Sequence, residues 1–254
     1  MKMFPLAGEL IPNRSSFVSG SQFISSLGKI KGSQRDTAIL HEFLSGNIPD
    51  FLKNFKPLTI TFGSNSITYL VMSDYLSIGN EADYLRMPMS AEVGQTIADK
   101  YDCSLPTRKM VNDIYSNADI KLPAKPWGEP YTGMDNNDRY PIQNEKINKQ
   151  LAGLDPTKLI AGHAKDIILS QKLYPNNPKK RVCIYGWMMS NGQVIQGLNA
   201  SSHELSYQDY SQLIRLISND VIVNGNLMRL QDVFASPSLC SLVSDEGVLK
   251  FTRY

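Results

Sequence analysis

Residues 181–198, RVCIYGWMMSNGQVIQGL, decide the fold class. Two β-rich runs flank Asn191-Gly192, a dipeptide that tolerates the positive φ angles of a tight hairpin turn. With those two residues as the loop, Ser190 pairs with Gln193 and Trp187 lies opposite Gln196. Tyr185, Trp187 and Met189 then share one face with Gln196. The same device recurs in VIVNGNLMRL (221–230) around Asn224-Gly225, and in LTITFGSNSITYLVM (58–72) around Gly63-Ser64-Asn65-Ser66. Helical patterns stand apart from these hairpins. Ser33 caps a helix through about Ser45 with Gly46 as its stop, and Ser90 caps one through about Tyr101. Thr107 caps a third, with Met110, Val111, Ile114 and Tyr115 on one face. A further helix starts near Gln143, and residues 231–243 read as a short terminal helix interrupted by proline. Hairpins with separate helices predict an α+β fold, an antiparallel sheet built from hairpins with helices segregated mainly in the N-terminal half.

At 254 residues the chain suits one large domain. Residues 1–33, rich in Ser, Gly and Pro, read as an extended N-terminal arm, and 34–254 as a single α+β domain. The four prolines between 121 and 141 mark a long connection. Twenty-six basic residues against 24 acidic ones leave no broad basic field, so no nucleic-acid partner is expected. The short run Pro178-Lys179-Lys180-Arg181 reads as a solvated turn. Three widely spaced cysteines without a CxxC argue against a disulfide scaffold and structural zinc. No apolar run approaches the roughly 20 residues of a membrane span. MKMFPLAGELIPNRSS lacks the apolar core of a signal peptide, so the chain reads as soluble, with compartment and oligomeric state open. Neither GxGxxG nor a P-loop occurs, and no cofactor is expected.

Chemistry concentrates in two stretches. KLIAGHAKDIILS (158–170) interrupts an apolar strand with His163, Lys165 and Asp166, which are costly inside a sheet unless paired or set at a cleft. His163 and Lys165 share one strand face and Asp166 takes the other. SSHELSYQDYSQLIRLIS (201–218) offers His203, Asp209 and Ser211. A histidine with a carboxylate partner is what acid/base chemistry needs, and Ser211 is a possible nucleophile outside any GxSxG elbow. Tyr185, Trp187 and Gln196 form either a stacking floor for a sugar or peptide, or plain core packing. His41 reads as a surface residue, and Cys103 as a packed one.

GNIPDFL, DYLSIG, LPTRKMV, AGHAKD, IYGW, DYS-x-x-IRL and LVSDEG, in this order from about Asn47 to Gly247, resemble an uncharacterised bacterial protein family with no assigned activity. The resemblance implies a histidine after IYGW and a His-Gly after DYS, where this chain has Met188 and Gln212-Leu213. The Ser-His-Gly form of such relatives is similar to the L,D-transpeptidase motif. Ser211-Gln212-Leu213-Ile214-Arg215 lacks its histidine and its cysteine, so transpeptidase chemistry is not expected. Ser201-x-His203 followed by an acid also resembles the zinc-dependent D-Ala-D-Ala carboxypeptidase pattern, but Asp209 comes one residue early and no histidine follows His203. No metal is expected.

These residues lead to a hydrolase-like protein acting on a peptide or glycan, with cell-wall material as the expected source. His203 is its general base, oriented by Asp209. His163, Asp166 and Ser211 complete the catalytic set, and Tyr185, Trp187, Gln196 and Arg215 hold substrate. The alternative is a non-catalytic binding or structural protein, secreted or virion-associated.

Overall fold

The structure is a computed structural model describing residues 11–14, 18–128, 132–173, 181–200 and 202–254. Ser19 accepts a hydrogen bond from the Gln22 amide, and the Gln22 side chain accepts one from Ser19 N–H. This capping box starts α1 (Gly20–Leu27), which turns Phe23, Ile24 and Leu27 inward where an extended arm was expected. α2 (Gly32–Leu44) buries Ile39 and Phe43, and Gly46 beyond it takes a φ of 75°. A single turn, α3 (Asp50–Lys53), leads into the hairpin of β1 (Lys56–Phe62) and β2 (Asn65–Val71). Phe62 pairs with Asn65, so Gly63-Ser64 is the loop. β3 (Ser77–Gly79) and β4 (Tyr84–Arg86) pair antiparallel. Ser90 caps α4 (Ala91–Lys100) by accepting from Val93 N–H. After β5 (Cys103–Ser104), Thr107 caps α5 (Arg108–Asn117) in the same way through Met110 N–H.

β6 (Ile120–Lys121) pairs in parallel with β7 (Ile160–Ala161) on the far side of the proline-rich connection. Within that connection α6 (Arg139–Leu151) begins four residues before Gln143, with Pro141 in its first turn, where a missing N–H breaks no helical bond. There follow β8 (Lys165–Ile167), β9 (Ile184–Met188), β10 (Val194–Asn199), β11 (Gln212–Leu213), β12 (Ile217–Val223), β13 (Asn226–Arg229) and α7 (Leu230–Ala235). Residues 178–180 of the basic run, Ser201 and Pro130 lie outside the described residues.

One sheet has the order β1-β2-β12-β13, with β5 also on β12. A second runs β10-β9-β8-β11, antiparallel except for the β8–β11 pair. The fold is α+β, with α1 to α5 in the N-terminal half and α6 and α7 after it. One apolar cluster joins both sheets to the helices, through Phe43 of α2, Ile97 of α4, Val71, Ile167, Ile217 and Phe234. Among the described residues no helix is long and apolar enough to cross a membrane.

One local expectation shifts. The 189–193 hairpin is one residue longer than Asn191-Gly192 implies. Met188 pairs with Val194, and Met189 N–H donates to Gln193 O at 2.8 Å, leaving Ser190-Asn191-Gly192 as the loop, with Gly192 at a φ of 82°. A left-handed glycine closing a three-residue loop matches the strand twist as well as a two-residue turn does. The register therefore slips, and Gln196 faces Gly186 instead of Trp187. Residues 203–218, whose apolar spacing also allows a helix, run as turns followed by β11 and β12, the turn-then-strand course expected of them.

Candidate functional site

Beyond β2 the chain runs beside residues 214–216, with Met72 N–H donating to Leu216 O and Leu76 N–H to Ile214 O. This brings Asp74 and Tyr75 against Arg215. Asp74 Oδ1 accepts from Tyr75 N–H at 2.8 Å, and Oδ2 accepts from Arg86 Nε and Nη2 at 2.8 and 2.7 Å. His163 Nε2 lies 3.1 Å from Asp74 Oδ1, off the line a hydrogen bond needs, so neither ring nitrogen has a hydrogen-bond partner among the described residues. Arg215 donates to Met72 O and Ile160 O at 2.8 and 2.7 Å, and its guanidinium sits 4.3 Å from the Tyr75 ring centre. Tyr75 OH donates to Asp166 Oδ2 at 2.9 Å. All six side chains are buried.

Burial alone would push the Asp74 carboxyl up. Arg86, then His163 and Arg215, outweigh it and hold Asp74 well below the usual carboxylate range. Burial draws His163 below its ordinary value against the opposing pull of Asp74. At Asp166 burial wins over Arg215 and Tyr75, and the carboxyl is pushed up to about 6. Asp166, Tyr75, Arg215, Trp187 and Met188 line a cavity with room for roughly one water. Trp187 carries a φ of 63°, which is unusual for so bulky a residue, and its buried Nε1–H has no acceptor among the described residues. Gly186 before it has a φ of 109°, a conformation that suits glycine.

A second node surrounds Asp209. Its Oδ1 accepts from Ser211 N–H at 2.7 Å and Ser211 Oγ–H at 2.6 Å. Its Oδ2 accepts from Lys165 Nζ at 2.9 Å and Tyr207 OH at 3.2 Å. Burial again raises this carboxyl, but Lys165 and Ser211 reverse the effect and keep it below its usual range. His203 stacks flat on Tyr207, with ring centres 3.6 Å apart, and burial lowers its pKa against Asp209's upward pull. Asp209 is thus held by Lys165, Ser211 and Tyr207 rather than hydrogen-bonded to His203. Lys165 and Asp166 part to opposite sides of β8 as strand alternation requires, so His163 and Asp166 meet through Tyr75 and not directly. Tyr185 is buried and donates to Asn112 Oδ1 at 3.0 Å, while the Gln196 side chain donates to Gly197 O at 2.8 Å. His41 is exposed beside Glu42, and Cys103 is buried.

No family model, curated protein or solved structure matches this chain. Among the described residues no group of three or more His, Cys, Asp or Glu side chains could hold a metal ion.

An open cleft of about 350 Å³ lies at the start of α2, lined by Gly32, Arg35, Met134, Asp135, Tyr207 and Gln208 among others. Tyr207 connects it to the Asp209 node. Arg35 donates through Nη1 to Asp135 O at 2.6 Å and Asn137 Oδ1 at 2.8 Å. Asp135 pairs with Lys31 at 3.1 Å, and Gln208 Nε2 donates to Asp36 Oδ1 at 2.6 Å.

Sequence reasoning named His163, Asp166 and Arg215 but missed Asp74, Tyr75 and Arg86, their partners. The signal for two of them was present. DYLSIG, AGHAKD and IRL, three of the stretches behind the family resemblance, meet in this one cluster. Arg35 carried no such mark.

Proposed function

We propose that the protein is a non-catalytic binding protein, and that the cleft beside Tyr207 receives a peptide or glycan. One observation carries this reading. Of the five residues expected to do acid/base or nucleophilic work, His163, Asp166, Asp209 and Ser211 are buried, and His203 is half-buried against Tyr207. Both carboxylates and the Ser211 hydroxyl are engaged by neighbours within the chain. A general base must reach the proton it removes, and a nucleophile must reach its carbon. The open cleft, by contrast, offers an aromatic wall and polar groups of both signs, the usual furniture of a recognition site.

Hydrolysis of the same ligand class is the second reading, favoured by Asp166. A carboxyl titrating near 6 beside a cavity and a strained Trp187 is the kind of group that serves as a general acid. The two readings separate when the purified chain is mixed with short peptides and peptidoglycan fragments. Calorimetry reads binding and mass spectrometry reads products. Binding without new products supports the binding protein. Turnover that disappears in Asp166→Asn, in a variant that melts no lower than the unaltered chain, supports the hydrolase. Absence of both binding and turnover removes both readings.

A further inference from the structure

Tyr207 is held at both ends. Its N–H donates to Glu204 O at 3.0 Å, and its carbonyl accepts from Gln212 Nε2 at 2.9 Å. Its hydroxyl donates to Asp209 Oδ2, and Lys165 and Ser211 anchor that carboxylate in turn. Burial and the Asp209 charge push the phenol up, so the hydroxyl keeps the proton it donates. His203 lies flat on the ring, 8° from parallel. Most of the rotamer freedom that an aromatic contact costs is therefore surrendered before a ligand arrives.

The cleft begins where this support stops. Tyr207 lines it and is half-buried, whereas His203 does not line it, so the ring stands between the two with its uncovered side toward the cleft. Met134, Asp135 and Ser206 are the other accessible side chains of the lining. Asp135 is 44% exposed and its partner Lys31 43% exposed, so the rim offers both signs of charge in reach of solvent and no net charge. Arg35 and Gln208 are buried and give the cleft shape rather than contacts. At Gly32 nothing stands within 4 Å of where a Cβ would be, which leaves the entry open.

The lining segments also bear on the class of ligand. Gly32 opens α2, and residues 133–135 and 206–208 run as turns and irregular chain, so no strand contributes an edge. A peptide bound by strand addition needs such an edge, and a helical one needs a row of apolar anchors. Met134 and Tyr207 alone make no row. A pyranose sugar needs less. Its face of axial C–H groups fits the electron-rich face of an aromatic ring. Its equatorial hydroxyls both donate and accept, as Asp135, Lys31 and Ser206 require of a neutral ligand.

We propose that Tyr207 is the stacking platform of a site for a neutral pyranose sugar, and that His203 is a positioning residue that backs it. The proposal rests on the binding reading above and selects the glycan over the peptide. His203, Asp209 and Lys165, which in the sequence have the look of acid/base chemistry, thereby share one task, which is to hold a ring still.

The experiment adds methyl β-glucopyranoside, N-acetylglucosamine, the open-chain polyol glucitol and acetyl-Leu-Ala-amide, each separately, to the full chain. Saturation-transfer NMR with irradiation of the aromatic protons shows which ligand protons touch a ring, and titration gives affinity. The expected result is transfer to the C–H protons of a ring sugar. Glucitol, which keeps the hydroxyls without the flat face, should bind about tenfold more weakly. Tyr207→Leu should abolish the transfer. His203→Ala frees the ring and weakens the sugar about threefold to tenfold, and His203→Phe, which restores a flat neighbour, recovers it. A thermal melt separates these losses from damage to the fold, and the comparison with glucitol needs no variant. Equal binding of ring sugars and glucitol, or transfer that survives Tyr207→Leu, overturns the platform. Unchanged affinity in His203→Ala, or no recovery in His203→Phe, overturns the positioning role. Binding of the peptide without any sugar overturns the sugar assignment and leaves the binding reading in place. Absence of any response, to these probes and to peptidoglycan fragments alike, overturns both.

Discussion

Asp74 and Asp166 are both buried carboxyls facing Arg215, yet they have opposite effects on stability. Asp74 is compensated by Arg86 at 2.7 Å, and removing its charge strands that arginine in the interior. Asp74→Asn is expected to cost about 3–5 kcal/mol in urea unfolding, the penalty of a broken buried pair. Asp166 is under-compensated. Its carboxyl, raised to about 6 from an unfolded value near 3.9, holds its proton more tightly in the folded chain. Between about pH 4 and pH 6 the folded state binds more protons, so this group's contribution to stability falls as pH rises and stays low above that window. Asp166→Asn keeps an acceptor for Tyr75. It should match the unaltered chain near pH 4 and exceed it by roughly 1–3 kcal/mol above pH 6, measured by unfolding curves across that range. His163 works in the opposite sense. Its lowered pKa means that stability declines as pH falls below about 6.5, equally in both proteins, so the comparison isolates Asp166.

At the scale of elements, the Thr107 hydroxyl has two tasks. It accepts from Met110 N–H at 3.1 Å to start α5, and it donates to Val243 O near the other end of the chain. Thr107→Ala should cost about 1–2 kcal/mol and lower the melting temperature by several degrees, as a thermal melt would record. Thr107 was legible in the sequence because capping is local, and so were Ser90 and the Asn224-Gly225 hairpin. α1 was hidden by composition. Its Ser19-x-x-Gln22 box lies in a stretch so rich in Ser and Gly that it read as an arm, although the box was a sufficient signal. The slipped register at Gln196 has another origin. Asn191-Gly192 fits a two-residue loop and the end of a three-residue loop equally well, and the dipeptide alone does not choose.

At the scale of the molecule, the candidate site was the least legible part. Asp166 and Tyr75 are 91 residues apart, and Arg215 reaches Met72 across 143. Periodicity and turn chemistry carry no information at such separations; the order of the motifs hinted at importance without saying that they touch. The same closure governs the thiols. Cys103, Cys183 and Cys240 are free and buried, and burial pushes the Cys183 thiol up to about 12. Modification by a thiol reagent should be slow under native conditions and rise with urea in step with global unfolding, read by mass spectrometry.

The pairing of β2 with β12 has a consequence for how the protein is made. Val71 lies beside Ile217, so the middle of the larger sheet cannot close until the chain has been synthesised through β12, about 150 residues after β2. Through that interval the β1–β2 hairpin has folded locally but shows an unpaired inner edge of alternating Ile67, Tyr69 and Val71, a template for pairing with a neighbouring nascent chain. Ribosome-bound chains that stop before Ile217 are therefore the ones most dependent on a holding chaperone, and the arrival of β12 is the step that commits the sheet to its fold.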